Sequence, residues 1–219
     1  RYDGNEFLTL TTHSTPALRS NFITCVTEDH FHRLWIASEN GLDILDLETL
    51  GCDAISIQEL KDAENRIIRF ITTDANGNIW LKYGIYIYRI SFFQNGNIKD
   101  VLTFSDPRIG LQDNFIRDVE GDGSVWTCFG SKMIKLQAAD GAITSKTVIS
   151  DLPIEANTYV SDCILKNNEV WISSDGGLVR YNRTSGKLRH YQHSDNDDST
   201  LSQNFLTALS IDSEDQLLV

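Results

Sequence analysis

The tryptophans of this chain recur at a nearly constant interval. All four of them, Trp35, Trp80, Trp126 and Trp171, are separated by 45, 46 and 45 residues in a sequence of 219. The next position of the repeat falls on Leu218, 47 residues after Trp171. A fixed period in this range is typical of repeat architectures, in which each repeat is one supersecondary unit packed on its neighbours. The spacing therefore predicts a chain of about five similar units.

Short apolar segments separated by turn residues make up each unit. A first segment rich in β-branched and aromatic side chains precedes every tryptophan position, at 22–26, 67–71, 115–119, 160–164 and 205–209. Such segments, bounded by Gly, Asn and Asp, are typical of strands, and no long stretch keeps the 3.6-residue period of a helix. We therefore predict an all-β chain in which each complete unit is a four-stranded antiparallel blade of a β-propeller.

The repeat also predicts where the blades lie within a single domain of residues 1–219. Complete blades are expected at about 21–58, 66–104, 114–150 and 159–193, with partial blades at 1–12 and 204–219. Because an open end of a propeller exposes apolar surface, we expect a segment of a larger propeller. The alternative is a closed ring of five blades, in which residues near 7–11 complete the blade that begins at 204.

An acidic or amide residue stands seven positions after the start of every first segment. These residues are Asp29, Asp74, Asp122, Asn167 and Asp212. Because the position is filled in all the units, a turn-forming role is favoured over an acid or metal site. Asp and Asn side chains accept hydrogen bonds from the backbone two residues further on and fix tight turns. The tryptophans are similarly expected to pack between blades, with the indole N–H bonded to a neighbour.

Charge and composition exclude several classes of partner. The chain has 31 acidic and 19 basic residues, a formal net charge of −12 and a pI near 4.7. This balance argues against binding to nucleic acid, which requires a basic face. No apolar run approaches the roughly 20 residues that span a bilayer, so direct membrane insertion of this segment is not expected.

Neither a catalytic group nor a metal or cofactor site is predicted. The cysteines, Cys25, Cys52, Cys128 and Cys163, show no C-x-x-C spacing and hence no zinc signature. Cys25 and Cys163 hold the same position in units one and four, three blades apart, so we expect unpaired buried thiols. No Ser/His/Asp arrangement, phosphate-binding glycine loop or distinguishable carboxylate pair is present.

Candidate ligand-binding residues come from positions where the units differ. The third position of the first segment reads Thr24, Arg69, Arg117, Asp162 and Thr207. Innermost strands line the central channel of a propeller, so we expect the charged members to lie along one arc of it. Arg117 beside Asp162 would form an internal pair, which makes Arg69 the better candidate for a ligand contact.

Two aromatic residues are candidates for stacking on a ligand. Tyr83 and Phe129 follow the tryptophan in units two and three, where the turn reads two residues shorter than in units one and four. We expect both at the rim formed by second-to-third-strand turns and the links between blades. Aromatic rings there suit stacking on the C–H face of a sugar, and ordinary rim packing is the alternative.

The segments around the tryptophans carry a recognisable motif. Residues 28–42 read ED, five further residues and WIASENGL; residues 171–182 read WISSDGGLVRYN; and residues 195–205 contain DSTLSQN. They resemble the two-component regulator propeller repeat and its link between blades. Units two and three depart from that pattern after the tryptophan.

The resemblance implies a fold, a location and a function. Proteins of that family are periplasmic sensor regions of bacterial hybrid histidine kinases, usually with two seven-bladed propellers ahead of a membrane helix and kinase modules. A periplasmic propeller segment is therefore expected, not itself an enzyme, that senses an oligosaccharide and transmits a signal, with a possible homodimer of the full-length sensor. The alternatives are a protein-interaction scaffold without a small ligand and a carbohydrate-active enzyme.

Overall fold

The computed structural model describes most of the chain as strands. Described residues are 4–54, 67–68, 70–83, 86–105, 115–120, 122–129, 131–139, 142–155, 158–212 and 214–219. Within them the strands are β1 (Ile23–Glu28), β2 (Arg33–Ser38), β3 (Gly41–Asp46), β4 (Cys52–Ala54), β5 (Phe70–Thr73), β6 (Ile79–Tyr83), β7 (Tyr86–Phe92), β8 (Ile98–Ser105), β9 (Phe115–Val119), β10 (Ser124–Phe129), β11 (Lys132–Ala139), β12 (Ala142–Asp151), β13 (Val160–Lys166), β14 (Glu169–Ser174), β15 (Gly177–Asn182), β16 (Leu188–Tyr191), β17 (Ser210–Ile211) and β18 (Leu217–Leu218). No helix is found in these ranges, and the predicted all-β class is confirmed.

The strands form four-stranded antiparallel sheets whose order follows the sequence. Blade one is β1-β2-β3-β4, blade two β5-β6-β7-β8, blade three β9-β10-β11-β12 and blade four β13-β14-β15-β16, and β17 pairs with β18 in a fifth, two-stranded sheet. Each first strand is therefore an edge strand. This is the β-propeller arrangement predicted from the repeat.

The chain divides into two compact units. The first contains residues 1–112 and 138–143, and the second residues 113–137 and 144–219. In the first unit β1 contacts β5, and in the second β9 contacts β13. Within each unit, consecutive blades thus meet along their first strands.

The tryptophans occupy equivalent places in the blades, as predicted. Each lies on the second strand and pairs with the third-strand residue nine positions later in sequence. Trp35 and Trp80 are fully buried and Trp126 is 2% exposed, whereas Trp171 is half-buried. Leu218, the next point of the repeat, lies on β18.

The core lies between neighbouring blades. In the first unit Trp35 and Leu42 of blade one share a buried cluster with Ile79 and Ile90 of blade two. A second cluster joins Trp126 of blade three to residues of blade four. Burial of these apolar faces requires adjacent blades, which is why the apolar pattern repeats with the blade.

The predicted turn role of the repeated acidic position is confirmed. Asp29, Asp74, Asp122 and Asp212 each accept a hydrogen bond from the backbone N–H two residues on, over 2.8 to 2.9 Å. Asn167 differs, because β13 and β14 are joined by a two-residue turn in which it adopts a φ of 53°. A left-handed conformation of this kind is one that Asn tolerates better than most residues.

One predicted difference between the turns is wrong. In all four blades the residue three after the tryptophan pairs with the residue six after it: Ser38 with Gly41, Tyr83 with Tyr86, Phe129 with Lys132 and Ser174 with Gly177. The second-to-third-strand turn therefore has the same length throughout. The error arose from aligning glycines that stand at different positions after the tryptophan.

The equivalence of Cys25 and Cys163 is also wrong, although the prediction that no disulfide joins them is confirmed. Cys25 pairs with the residue two after its tryptophan, and Cys163 with the residue one after. Each tryptophan pairs with one residue of the first strand, and the segment from that residue to the tryptophan is one residue shorter in blade four than in blade one. The difference moves Cys163 to a buried face. Cys25 and Cys52 are free thiols, no disulfide joins Cys25 to Cys163, and the side chain of Cys128 lies outside the described residues.

Candidate functional site

The candidate residues predicted for the channel do not form one row. Arg69 lies outside the described residues; for Arg117, on β9, the structure describes the backbone only. Relative to the residue that pairs with the tryptophan, Thr24 stands three positions earlier, Asp162 two and Arg117 one. The shifts arise because the first segments were aligned by their first residues: Thr24 stands 11 residues before its tryptophan, whereas Asp162 and Arg117 each stand nine residues before theirs. The predicted equivalence of Arg117, Asp162 and Thr24 is therefore wrong.

Asp162 has a structural task. Its Oδ1 accepts from the N–H of Cys163 at 2.8 Å, and its Oδ2 accepts from the N–H of Leu209 at 2.9 Å. Leu209 belongs to the segment that leads into β17. The carboxylate thus ties blade four to the following repeat, and the predicted pairing with Arg117 remains a prediction.

The residues at the first-strand bulges link one blade to the next. Thr24 donates its hydroxyl to the carbonyl of Ile68, and Ser161 donates to the carbonyl of Leu206 at 2.6 Å. Ile68 and Leu206 occupy equivalent positions in the repeats that follow. These hydroxyl groups link adjacent repeats by hydrogen bonds near the start of their first strands.

Tyr83 and Phe129 end their second strands, as expected of rim residues. They occupy the position that Ser38 and Ser174 hold in blades one and four. Their side chains lie outside the described part of the chain. Their proposed stacking role stays a prediction.

The same rim carries a cleft in blade four. It has a volume of about 420 Å³ and is lined by Pro153, Ile154, Glu155, Thr158, Asp175, Gly176, His190 and Gln192. The link before β13 forms one wall, the β14–β15 turn a second, and the end of β16 a third. A space of this size falls within the range of small-molecule sites.

Hydrogen bonds fix the β14–β15 turn at the base of that cleft. His190 Nε2 lies 2.9 Å from the carbonyl oxygen of Gly176, and Gln192 donates its amide to the same oxygen at 3.2 Å. Because a carbonyl only accepts, His190 carries a proton on Nε2. A side chain at Gly177 would meet the carbonyl of Tyr191 at 2.4 Å, and its φ is 111°, so the close approach requires glycine.

An equivalent cleft lies in blade one. It measures about 430 Å³ and is lined by Thr12, Arg19, Ser20, Asn21, Phe22, Glu39 and Asn40. Glu39 donates its N–H to the carbonyl of Phe22 at 3.3 Å, as Asp175 does to Tyr159 at 3.1 Å. Glu39 and Asp175 each stand four residues after their tryptophan, so the two clefts share one backbone frame.

The electrostatics of the blade-one cleft depend on a buried carboxylate beneath it. Arg19 donates its N–H to Asp43 at 3.0 Å and forms an ion pair with it at 3.5 Å. Burial raises the pKa of Asp43, and the bond and charge of Arg19 act in the opposite direction. Arg19 therefore places positive charge at this cleft, which has no counterpart among the residues lining the blade-four cleft.

An exposed apolar residue stands beside each cleft. Phe22 is 60% exposed and Tyr159 55% exposed, and both lie five residues before the partner of the tryptophan. Phe205 and Ile67, at the equivalent position, are 60% and 39% exposed. Sequence reasoning assigned these residues to strands and so missed them, although their recurrence was visible in the first segments.

Two further properties concern metals and membranes. In the described ranges, no group of three or more His, Cys, Asp and Glu side chains is placed to hold a metal ion. Nor does any helix of those ranges have the length and apolar character to cross a bilayer.

These features define a β-propeller repeat protein with polar clefts along the rim of its second-to-third-strand turns. Residues 17–40, which include β1, β2 and the first of those turns, match the family model described as two component regulator propeller. This match falls on the motif around Trp35, whose resemblance to the two component regulator propeller repeat is confirmed. Comparison with the curated proteins finds no match.

Solved structures share the fold. The extracellular domain of BT4673 from B. thetaiotaomicron, described as a one component system, has a TM-score of 0.64 and 16% identity, over 90% of this chain and 26% of that one. Virginiamycin B lyase from Staphylococcus aureus has a TM-score of 0.61 and 17% identity, over 90% of this chain and 62% of that one. XC5397 from Xanthomonas campestris, a gluconolactonase, has a TM-score of 0.63 and 14% identity, over 90% of this chain and 68% of that one. This chain thus spans about a quarter of the BT4673 domain.

Proposed function

We propose that this chain is a propeller segment of the extracytoplasmic sensor region of a hybrid two-component system and that it binds an oligosaccharide without transforming it. The observation that carries the proposal is a cleft at the equivalent turn of blade one and of blade four, each with polar lining and with an exposed aromatic residue in or next to its lining segment. The repeat match at 17–40 and the likeness to the BT4673 domain support the sensor assignment.

The chemistry of the clefts suits a hydroxyl-rich ligand. Carboxylate and amide oxygens accept hydrogen bonds from sugar hydroxyls, and aromatic faces pack against the C–H groups of a pyranose ring. Because the clefts are open and shallow, each accommodates part of a chain of sugars. A binding event changes the contacts between blades or between two copies of the sensor, and the kinase region of the longer protein responds to that change.

A thermal-shift screen over defined oligosaccharides tests the proposal. A ligand that binds only the folded state raises the melting temperature by mass action, and the rise grows with ligand concentration. Isothermal titration calorimetry then gives the affinity. If the folded protein shows neither a shift nor heat with a broad panel of neutral, acidic and amino oligosaccharides, the oligosaccharide proposal is wrong and the protein-scaffold alternative gains support.

An enzymatic role is the second candidate, favoured by the fold shared with a lyase and a gluconolactonase. Those likenesses rest on 17% and 14% identity, so they concern architecture and not catalytic residues. Chromatography of each oligosaccharide after prolonged incubation with the protein distinguishes the two functions. Intact oligosaccharide is expected, and the appearance of shorter or unsaturated products would assign the chain to the enzymes.

A further inference from the structure

We propose that the blade-four cleft is a subsite for an uncharged pyranose, stacked on Tyr159, and that it rejects glycans bearing carboxylate or sulfate groups. The inference rests on the proposed function, which it deepens by assigning the charge class of the ligand and the residues that select it. It differs from the sequence-based prediction, which placed the ligand contact at Arg69 and the stacking at Tyr83 and Phe129.

The cleft is rich in hydrogen-bond acceptors. Glu155 and Asp175 contribute exposed carboxylates, whereas no Lys or Arg is among its described lining residues. The donors of His190 and Gln192 that the structure pairs are directed at the carbonyl of Gly176. A ligand must therefore supply donors of its own. Sugar hydroxyls do so, while an ionised carboxylate or sulfate only accepts and is repelled by the two acidic side chains.

Apolar side chains also line this cleft, next to the carboxylates. Pro153 and Ile154 line the cleft, and Tyr159, which directly follows the lining residue Thr158 in the chain, is 55% exposed. A pyranose ring has C–H groups on its face and hydroxyls at its edge. The C–H groups can pack on the apolar surface while the hydroxyls donate hydrogen bonds to the carboxylates.

Tyr159 and Asp175 are held in fixed relation to each other. Tyr159 donates its N–H to Asp175 Oδ1 at 3.0 Å, and Asp175 donates its N–H to the carbonyl of Tyr159 at 3.1 Å. A carboxylate has two oxygens and about four acceptor sites, so Asp175 keeps capacity for a hydroxyl after this bond. The backbone at Tyr159 and the Asp175 carboxylate are thus preorganised, which lowers the entropy lost on binding.

Blade one supplies a comparison inside the same molecule. Its cleft has the same backbone frame at Glu39 and Phe22, but it also contains Arg19. Glu39 accepts a hydrogen bond from Ser20 at 3.1 Å within that cleft. Selection against anionic glycans is therefore a property of the residues of the blade-four cleft and not of the repeat itself.

Isothermal titration calorimetry with matched tetrasaccharides tests the inference. The probes are cellotetraose, β-1,4-mannotetraose, xylotetraose and maltotetraose as neutral members, tetragalacturonate and tetramannuronate as acidic members, and the tetramer of glucosamine as a cationic member. Binding is expected in the neutral group and not in the acidic group, and the lining carboxylates should attract the cationic tetramer instead of excluding it. For the neutral probe that binds, Tyr159→Ala should weaken affinity about tenfold, and Phe93→Ala, which removes a ring 52% exposed on blade two, should leave it unchanged.

A charge variant adds a second readout. Glu155→Lys should weaken binding of the neutral probe and allow tetramannuronate or tetragalacturonate to bind, because it reverses the sign of one lining charge. Circular dichroism and melting temperature establish that each variant is folded.

The outcomes separate this inference from the proposed function. Binding of a neutral probe that is unaffected by both Tyr159→Ala and Glu155→Lys overturns the subsite and leaves the oligosaccharide sensor standing. Tighter binding of an acidic probe than of every neutral one overturns the charge argument. Absence of binding to all seven probes by the folded protein overturns both.

Discussion

Replacing Asp29 by Asn tests how the carboxylate beneath the tryptophan holds a blade together. Asp29 Oδ2 accepts from the indole N–H of Trp35 at 2.8 Å and from Arg33, whose Nε and terminal nitrogen both lie 2.8 Å away. The Asp29 side chain is fully buried and that of Arg33 is 20% exposed. An Asn side chain has one acceptor oxygen and places an NH₂ group where these donors converge.

The expected cost follows from that geometry. Removing one partner of a buried ion pair destabilises a protein by about 3–5 kcal/mol, and an indole N–H left facing another donor adds to the effect. We therefore expect Asp29→Asn to lower the free energy of unfolding by about 3–5 kcal/mol. Urea denaturation followed by tryptophan fluorescence and circular dichroism measures the change at constant m-value.

Asp212→Asn is the matched control. Asp212 fixes the equivalent turn, accepting from the N–H of Glu214 at 2.9 Å and of Gln216 at 2.7 Å. The tryptophan position of this repeat is Leu218, so no indole bond is lost, and an Asn oxygen can take over the backbone bonds. A change of about 1 kcal/mol or less is expected. If the two variants cost the same, the indole and arginine contacts of Asp29 add no stability and this reasoning is refuted.

Three further outcomes are expected. Trp80→Ala should cost about 3–5 kcal/mol because its ring is fully buried, and Trp171→Ala should cost less because its ring is half-buried; equal losses in urea denaturation would contradict the packing argument. Burial raises the pKa of the Cys25 thiol and Cys163 is buried, so thiol titration should be slow for both until urea is added, and a Cys25–Cys163 crosslink in mass spectrometry would contradict the blade register. The Leu201 carbonyl and the Asp195 carboxylate raise the pKa of His193 in the folded protein. The stabilising contribution of His193 is therefore complete below the unfolded pKa of about 6.5 and is lost as the pH rises through the higher folded pKa. Melting temperatures at pH 5.5 and pH 8 should differ less in His193→Gln than in the parent protein, and an unchanged difference would refute this.

The repeat could be predicted because its most distinctive residues are tied to each other. A tryptophan with an acidic residue six positions earlier is one hydrogen-bonded unit in blades one and two, where Asp29 and Asp74 bind the indoles of Trp35 and Trp80. Both members must be present for the buried indole to be satisfied, so the spacing is preserved in the sequence. Period, strand order and blade class all follow from it.

Register within the first strands could not be predicted by counting. Blade four has a two-residue turn at Asn167 where blade one has a longer one, and the bulges fall at Thr24, Ser161 and Arg117. A change of one residue moves every following side chain to the opposite face of a strand. This is why Cys25 and Cys163, and the supposed row of channel charges, were misaligned.

The candidate site was predictable in location but not in its residues. The rim of second-to-third-strand turns is where the clefts lie, as the pattern around Tyr83 and Phe129 indicated. Exposure of Phe22 and Tyr159 is a property of the folded surface, however, because a first-strand aromatic residue has the same sequence pattern whether it is buried or exposed. Sequence alone therefore did not identify Phe22 and Tyr159 as exposed aromatic residues, and the stacking role of Tyr83 and Phe129 stays a prediction.

The carboxylate that binds the tryptophan indole can be replaced without loss of the blade. The residues that support the strands of a blade are therefore distinct from the residues that line its cleft. In blade three Glu120 takes the indole bond of Trp126 at 2.6 Å and also pairs with Lys135 at 3.2 Å and with Arg183 of blade four at 2.7 Å. In blade four the equivalent position, opposite the residue two before the tryptophan, is Lys166, which offers no carboxylate. Blades one and three thus hold the indole with different carboxylates, and blade four pairs its second and third strands in the same register without one. Since the support for the tryptophan lies between the blades and the clefts lie at the rim, residues that line a cleft can change charge while the frame stays fixed. Under the proposed function, ligand selectivity would be set by the link before the first strand, which places Arg19 in the blade-one cleft, and by the end of the fourth strand, which places His190 and Gln192 in the blade-four cleft.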